Sequence, residues 1–491
     1  MSARPRLREW LRPACHYNQA VLRPISIIFV VCLLQCPLYS QSPAALLPPK
    51  TQKSLLIAPF ENISKAPGIE WIGESFPEVI GQRLAGGAGQ VAVQTEVQIM
   101  SRNDRLHAFD RASLPSGMHP SRATMFRIAE QLDLNYVVIG TYDFDGHTFT
   151  ATCQRLDVKR AHLSSKITQS GPLLKLIDIQ TALAWDLLRL DDAALTMSRD
   201  AFIAAAPPIR LDSLENYTRG VMAGSSADKI KYFREALRIN PSYAEAQMAL
   251  GEAYFDSNQY DAAAASLAKI PPMHPASGRA QFLLGLCALY LGQPDKAETS
   301  FADLARRVPL PEVYNNLGVA RARLGKSELE SLQKAAETDP DDADYQFNMA
   351  VALFRKGDAT ASTCELRSFL AVSPNDSEAK GLLEALIAAS DPKYAASALP
   401  PKLPLERIKR TYNEESFRQI AAQIQAADEQ RLATSDPRTQ ARFHVTRGRE
   451  LLAQGLAAEA VKDFRQAVAL DPGNADAQAG IAAAQEAMNK P

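Results

Sequence analysis

Apolar and polar positions follow two different periods along this chain. Between residues 53 and 190 they come in short alternating runs broken by amphipathic stretches. The run Ser54-Leu-Leu-Ile-Ala-Pro-Phe60 predicts a strand followed by a loop. Glu70 to Leu84 has the helical period, with Ile72, Phe76, Val79, Ile80 and Leu84 on one face. Gln90 to Ile99 predicts a second strand, and Arg122 to Leu134 a second helix bearing Phe126, Ile128, Ala129 and Leu132. Tyr136–Phe144 and His147–Val158 alternate, and Asp145-Gly146 between them is a hairpin turn signal. A further strand near 160–169 and a helix over 172–190 complete the set. The order β-α-β-α-β-β-β-α predicts an α+β layer with helices on one face of a sheet.

From residue 211 onward the period is helical and a longer repeat appears. Gly251, Ala263, Leu267 and Pro275 recur as Gly285, Ala297, Phe301 and Pro309, and again as Gly448, Ala460, Phe464 and Pro472. The spacing is about 34 residues, the mark of stacked helix hairpins. The small residues (Gly251, Gly285, Gly318, Ala350, Gly448) belong where the first helix of a pair crosses the second. The bulky ones (Phe233, Leu267, Phe301, Leu366, Phe464) fill the seam. Proline then stops the second helix, because it has no backbone N–H to donate. One hairpin cannot bury its own apolar stripe, so its neighbours supply the other wall.

These segments resemble the tetratricopeptide repeat family, with six units across about 211–374 and 441–472. The fold class predicted is therefore an α+β amino-terminal domain followed by an all-α superhelical solenoid. The array is placed at 211–390. Asn375 to Ser390 reads as its closing helix, and a Pro-rich linker follows at 391–405. A carboxy-terminal helical segment with one further repeat is placed at 406–491, beginning with a helix over Glu406 to Ala433.

The amino-terminal region, 53–190, resembles the TolB amino-terminal-like, FlgO-like and CsgG-like domains. The resemblance rests on Ile57-Ala-Pro-Phe-Glu-Asn62, Trp71-Ile-Gly-Glu-Ser-Phe76 and Ile128-Ala-Glu-Gln-Leu-Asp-Leu-Asn-Tyr-Val-Val-Ile-Gly140. It implies a role in envelope assembly or protein contacts, with no reaction of its own.

Composition narrows the classes. Apolar residues make up 46% and charged residues 22%, which is ordinary for a folded domain protein. The formal net charge is −1, and the five arginines against one acid in the first forty residues leave the remainder near −5. Nucleic acid is thereby a poor partner. Arg4, Arg6, Arg8, Arg12 and Arg23 precede the apolar run Ile25 to Leu34, which suits an export signal over residues 1–40. Cleavage after Ser40 gives a periplasmic or envelope protein of a bacterium. Retention of the segment gives a membrane-anchored one. Cys36 follows Leu33-Leu34-Gln35 in the outline of a lipoprotein box, but Gln stands where a small residue is needed. Cys153, Cys287 and Cys364 are an odd, scattered set without a disulfide framework.

Candidate chemistry is sparse. Gly73-Glu-Ser-Phe-Pro77 lacks the last glycine and the leading strand of a nucleophile elbow. Gly86-Gly-Ala-Gly89 follows a predicted helix, which makes it a helix stop and not a phosphate loop. Asp143-Phe-Asp-Gly146 reads as a hairpin tip. The run Asp339-Pro-Asp-Asp-Ala-Asp344 suits a repeat turn beside a helix N-terminus. The histidines show no ligand spacing. No catalytic residue, cofactor or metal is predicted.

The remaining candidate is a binding groove. Family geometry turns the first helix of each pair toward a concave face. Its exposed positions map to Met248, Phe255, Asp256, Phe282, Tyr290, Asn315, Arg323, Phe347 and Arg355. Aromatic anchors beside Asn and Arg suit an extended peptide or a partner helix. The Lys/Asn/Arg set with which chaperone-tail-binding members capture a carboxylate is not reproduced in full. The function expected is a non-enzymatic exported scaffold, with a protein or peptide in the groove and an envelope protein at the amino-terminal domain. Two alternatives stand beside it. In one, the amino-terminal domain senses a small ligand or carries an activity, with the loop-rich stretch 101–121 as a lid. In the other, the chain is a membrane-tethered assembly factor.

Overall fold

The computed structural model describes residues 53–64, 66–84, 97–114, 120–190, 197–272, 274–389, 406–414, 416–417, 431–432, 435–453 and 457–489. The expected export signal, Gly86–Gly89, Gln90 to Glu96 of the second predicted strand, and the Pro-rich linker lie outside these residues. The chain divides into two compact units, one holding residues 49–300 and the other 301–412, with later segments assigned to each.

The first unit begins with the sheet. Strand β1 (Lys53–Ile57) pairs in parallel with β3 (Val97–Ile99) on one side and with β4 (Tyr136–Phe144) on the other. The short β2 (Glu61–Asn62) adds to the end of β4. β4 and β5 (Phe149–Asp157) form the predicted antiparallel hairpin, with Tyr136 opposite Asp157 and Phe144 opposite Phe149. At its tip the Asp145 carboxylate accepts the amides of His147 and Thr148 at 2.8 and 2.7 Å, and Gly146 has φ 96°. β6 (His162–Leu163) and β7 (Ile167–Gly171) pair with β5.

Helices cover both faces of this sheet, not one. Alternate residues of the strands point to opposite sides. Leu55, Ile57, Val138, Tyr142, Phe149, Ala151 and Cys153 face α1 (Trp71–Leu84) and α4 (Leu176–Arg189). Leu56, Ala58, Val137 and Leu156 face α3 (Arg122–Gln131), with Phe109 of α2 (Arg102–Arg111) packed nearby. Strands apolar on both faces signal double coverage. The stretch after residue 101 reads as loop in the sequence, but α2 occupies it, capped by the Ser101 side chain on the amide of Asp104.

After α5 (Arg199–Ala205) the helix pairs begin. They are α6 (Leu211–Met222) with α7 (Ser226–Ile239), α8 (Ala244–Asp256) with α9 (Tyr260–Leu267), and α10 (Ser277–Tyr290) with α11 (Pro294–Arg307). Gly251 lies where any Cβ would stand 2.6 Å from Leu267, so the small residue permits the crossing and the bulky one fills it. One hydrophobic cluster runs from the sheet through α1 and α4 into Leu214, Tyr217, Phe233, Tyr243 and Leu250. The Tyr217 hydroxyl donates to Glu78 at 3.0 Å, and Arg219 donates to the Gly68 carbonyl at 3.2 Å.

The second unit carries α12 (Pro311–Arg323) with α13 (Leu329–Thr338), α14 (Ala343–Arg355) with α15 (Ala359–Val372), and the closing helix α16 (Ser377–Ala389). The Ser362 hydroxyl donates to the Ala350 carbonyl at 2.7 Å, at the small-residue crossing of α14 and α15. Helices α13 and α15 stop just before Pro340 and Pro374, as proline requires. The final described helices are α17 (Pro437–Ala453), α18 (Ala457–Leu470) and α19 (Ala475–Asn489). The first two form a further pair, with Phe464 against Gly448.

Residues 406–413 are not helical. Sequence periodicity places a helix from Glu406; in the structure residues 406–412 are extended, and a helical bond appears only from the Phe417 amide to the Asn413 carbonyl at 3.0 Å. The reason lies far off in the sequence, because the groove described next satisfies its backbone instead.

Candidate functional site

Helices α12 and α14 stand at equivalent places in successive repeats and present a row of carboxamides. Asn315 and Asn316 are fully buried, and Asn348 is 2% exposed. A buried amide left without partners costs about 1–3 kcal/mol, so three side by side demand something to bond. They bond one another and the backbone of the chain's own residues 407 and 409. Asn348 accepts the Arg407 N–H at 2.8 Å and donates to the Arg407 carbonyl at 2.8 Å. Asn315 donates to the same carbonyl at 2.8 Å. Asn316 repeats the two-point bond one step on, accepting the Lys409 N–H at 2.9 Å and donating to its carbonyl at 2.8 Å. Asn348 also donates to Asn315 at 2.7 Å, which ties neighbouring repeats together.

The i, i+2 spacing is that of an extended strand, whose alternate residues offer N–H and C=O on one side. Each carboxamide thus takes the place of a neighbouring strand's peptide group. The contact reads backbone, as in strand addition to a sheet edge.

Side chains supply a second layer. The Arg407 guanidinium donates to Asp344 at 3.2 Å and Asp376 at 2.6 Å, with Glu378 at 3.7 Å. It lies 4.1 Å from the Phe347 ring centroid and 4.9 Å from that of Phe369. Lys409 reaches Asp342 and Asp344, each at 2.7 Å, and sits 5.1 Å from the Tyr345 ring. Glu406 receives Arg355 at 2.9 Å and Arg323 at 3.5 Å. Cation and ring at such distances attract by the ring quadrupole.

Electrostatics follow the contacts. Burial opposes ionisation of Asp344, yet hydrogen bonds from Lys409 and Arg407 hold its carboxyl below the usual range. Burial likewise opposes the charge on Asp376, but the Ala379 amide and Arg407 outweigh it. Arg407 and Lys409 are both raised, because their carboxylate bonds exceed the cost of partial burial. Asp342 and Asp376 also serve as helix caps, accepting the amides of Asp344 and Ala379 at 2.9 Å.

Four of the nine positions read from sequence meet here: Asn315, Arg323, Phe347 and Arg355. The other five lie in the first unit. Phe282 is fully buried, Met248 is 7% exposed and Phe255 4%, so none of the three offers the open surface expected of it. Their rings and chains serve packing instead. Tyr290 is 37% exposed and stacks on Tyr260 at 4.7 Å, and Asp256 is exposed. Sequence reasoning passes over Asn316, Tyr345, Phe369 and Asp376, and takes the acidic run at 339–344 only as a helix-terminus feature. It also misses that the occupant is in the chain.

The other motifs resolve into structure. Ser75 is fully buried within α1, donating to the Ile72 carbonyl at 2.7 Å and accepting from Gln180 at 2.6 Å. Arg105 is 2% exposed and pairs with Glu74 and the Ile57 carbonyl, filling the space under α2. His444 pairs with Asp463 at 2.9 Å, and Arg447 shares that carboxylate at 2.7 Å. Cys153 and Cys287 are buried thiols whose pKa values burial pushes up to about 12. Among the described residues no three His, Cys, Asp or Glu side chains gather as a metal site, and no helix is long and apolar enough to cross a membrane.

Comparison with known proteins agrees with the repeat period. Two family models, each described as tetratricopeptide repeat, match residues 226–281 and residues 282–330 with 445–489. The helix pairs within those residues are therefore tetratricopeptide repeats, a module of protein interaction. No curated protein matches the chain significantly. Among solved structures, YrrB, titled a TPR protein with an unusual peptide-binding site, is 20% identical over 34% of this chain and 90% of its own, with TM-score 0.31. MamA from Desulfovibrio magneticus RS-1 is 17% identical over 35% of this chain and 99% of its own, with TM-score 0.32. A thermophilic TPR protein from Thermus thermophilus is 17% identical over 36% of this chain and 98% of its own, with TM-score 0.28.

Proposed function

We propose that the protein is a non-enzymatic scaffold of the bacterial cell envelope, exported by its amino-terminal segment, which holds a protein partner through an extended stretch of that partner's backbone. The observation that carries this reading is the row Asn315, Asn316 and Asn348, buried and spaced to bond alternate residues of a strand. Side-chain amides that grip peptide N–H and C=O have no use for a small metabolite, and they suit any extended polypeptide.

The amino-terminal α+β domain, in its resemblance to the TolB, FlgO and CsgG type, is the part that docks to an envelope component. A ligand-sensing or enzymatic role for that domain is the second reading, less favoured because the buried Arg105 beneath α2 is engaged by Glu74 and the Ile57 carbonyl. Tethering to the membrane is a variant of the same reading, decided by mass spectrometry of the mature amino terminus.

The test is affinity capture from bacterial envelope extract with the full chain and with Asn315→Ala/Asn348→Ala. Loss of captured proteins in the double variant supports the reading. Recovery of an unchanged set overturns it.

A further inference from the structure

The groove of the second unit is already filled, and by a stretch with a definite charge order. We propose that residues 406–410 are a resident occupant of a site for basic extended peptides: the groove selects an acid-Arg-x-Lys segment, and a partner presenting that pattern enters by displacing the resident strand. The inference rests on the scaffold reading and goes beyond it by naming the ligand class and the regulation.

The ligand class comes from the layers around the strand. Backbone bonds fix only that the guest is extended. The sockets fix its side chains. The second position meets Asp344 and Asp376 with two aromatic rings above, the fourth meets Asp342 and Asp344 beside a third ring, and the first meets Arg323 and Arg355. The cationic sockets lie at one end and the anionic ones at the other. A guest of reversed charge would put like charges together at each of the three positions, and a neutral one would leave the carboxylates unanswered.

Displacement follows from how the strand is held. Arg407 is 21% exposed at its side chain and Lys409 18%, so their ion pairs are partly solvated and individually weak. Ile408 is only half-buried and Arg410 is exposed, so no apolar anchor locks the stretch in place. The strand is held by many exchangeable bonds rather than by a core. Its hold is nonetheless strong in competition, because residues 390–405 tether it to α16 and keep it at an effective concentration of about millimolar. A free peptide of equal intrinsic affinity therefore meets a groove that is mostly closed.

Fluorescence anisotropy of a labelled peptide copying residues 406–412 tests this against the full chain. In the chain, Arg407→Glu/Lys409→Glu ejects the resident strand by repulsion from Asp344 and Asp376. The peptide should bind this variant at least ~10-fold tighter than it binds the unaltered chain. The gentler Arg407→Ala/Lys409→Ala should lie between, and helical circular dichroism reports that each variant folds. A peptide with Glu in place of both cations should bind none of them. Adding Asn348→Ala to the opened variant should abolish binding of the cationic peptide. Equal affinity for opened and unaltered chains overturns the resident-occupant proposal. Equal binding of the charge-reversed peptide overturns the ligand class, and absence of peptide binding to every folded variant overturns both. Should any of these occur while Asn315→Ala/Asn348→Ala still loses its envelope partners, the scaffold reading survives and only the self-occupied basic-peptide site falls.

Discussion

Asn348 shows most clearly what one residue does here. Its carboxamide closes both backbone bonds of Arg407 and joins the preceding repeat through Asn315. Asn348→Ala leaves the Arg407 N–H without its acceptor, at about 1–3 kcal/mol in favour of release. Trypsin reads this directly, since Arg407, Lys409 and Arg410 are its sites: cleavage there should quicken roughly 5- to 150-fold in the variant. An unchanged rate would show that the carboxamide contributes nothing to docking. Arg407→Pro should release the strand too, since proline brings no N–H for Asn348 to accept. The contact should also be indifferent to pH near neutrality. Asp344 and Asp376 titrate below the ordinary 3.8 when the strand is docked, so their contribution is complete above that value and lost as pH falls through the lowered one. Lys409 titrates above the ordinary 10.5, so its share is complete below that value and lost as pH rises through the higher one. Binding of the 406–412 peptide to the opened variant should therefore hold constant between about pH 5 and 9, while rising salt, which screens these partly exposed pairs, should weaken it. A transition near pH 6 to 7 would contradict this account.

At the scale of elements, the repeat pairs were legible because their chemistry is local. Gly251 and Leu267 meet at a fixed offset, and the contact requires no knowledge of the rest of the chain. Gly251→Ala would set a methyl 2.6 Å from the Leu267 side chain, an overpacking that should cost about 1–3 kcal/mol. Denaturant melts of the variant should show the lower midpoint, and an unchanged midpoint would mean that the helices separate freely. The stretch 406–413 was illegible for the opposite reason. Its own period is helical, but three asparagines some 60 to 90 residues earlier donate to its carbonyls, and the bonds won by an extended form outweigh local propensity. Likewise Phe282 had the right position for the groove, and burial put it out of reach. The hairpin at Asp145-Gly146 was readable because its turn chemistry lies within four residues. The double coverage of the sheet was foreshadowed by Leu55-Leu56-Ile57, apolar on both faces, but the strand at 90–99 carried no comparable sign of which helix covers it.

At the scale of the whole molecule, the amino-terminal layer and the first repeats share one continuous interior within the first unit. The sequence suggested two modules with a boundary between residues 190 and 211, yet Tyr217 bonds Glu78 and Phe233 belongs to the same cluster as Trp71. A fragment ending at residue 205 should expose the face of α1 that α6 covers, and should bind hydrophobic dyes and aggregate where the full chain does not. A monomeric, dye-silent short fragment would refute the shared interior. For evolution by recombination this is restrictive. A crossover in the apparent gap would splice two halves that had never met and leave both with mismatched surfaces. A transplantable cassette must instead carry α6, α7 and α8 along with the sheet, so the natural breakpoint for shuffling this domain onto another solenoid lies inside the array, past Ala253.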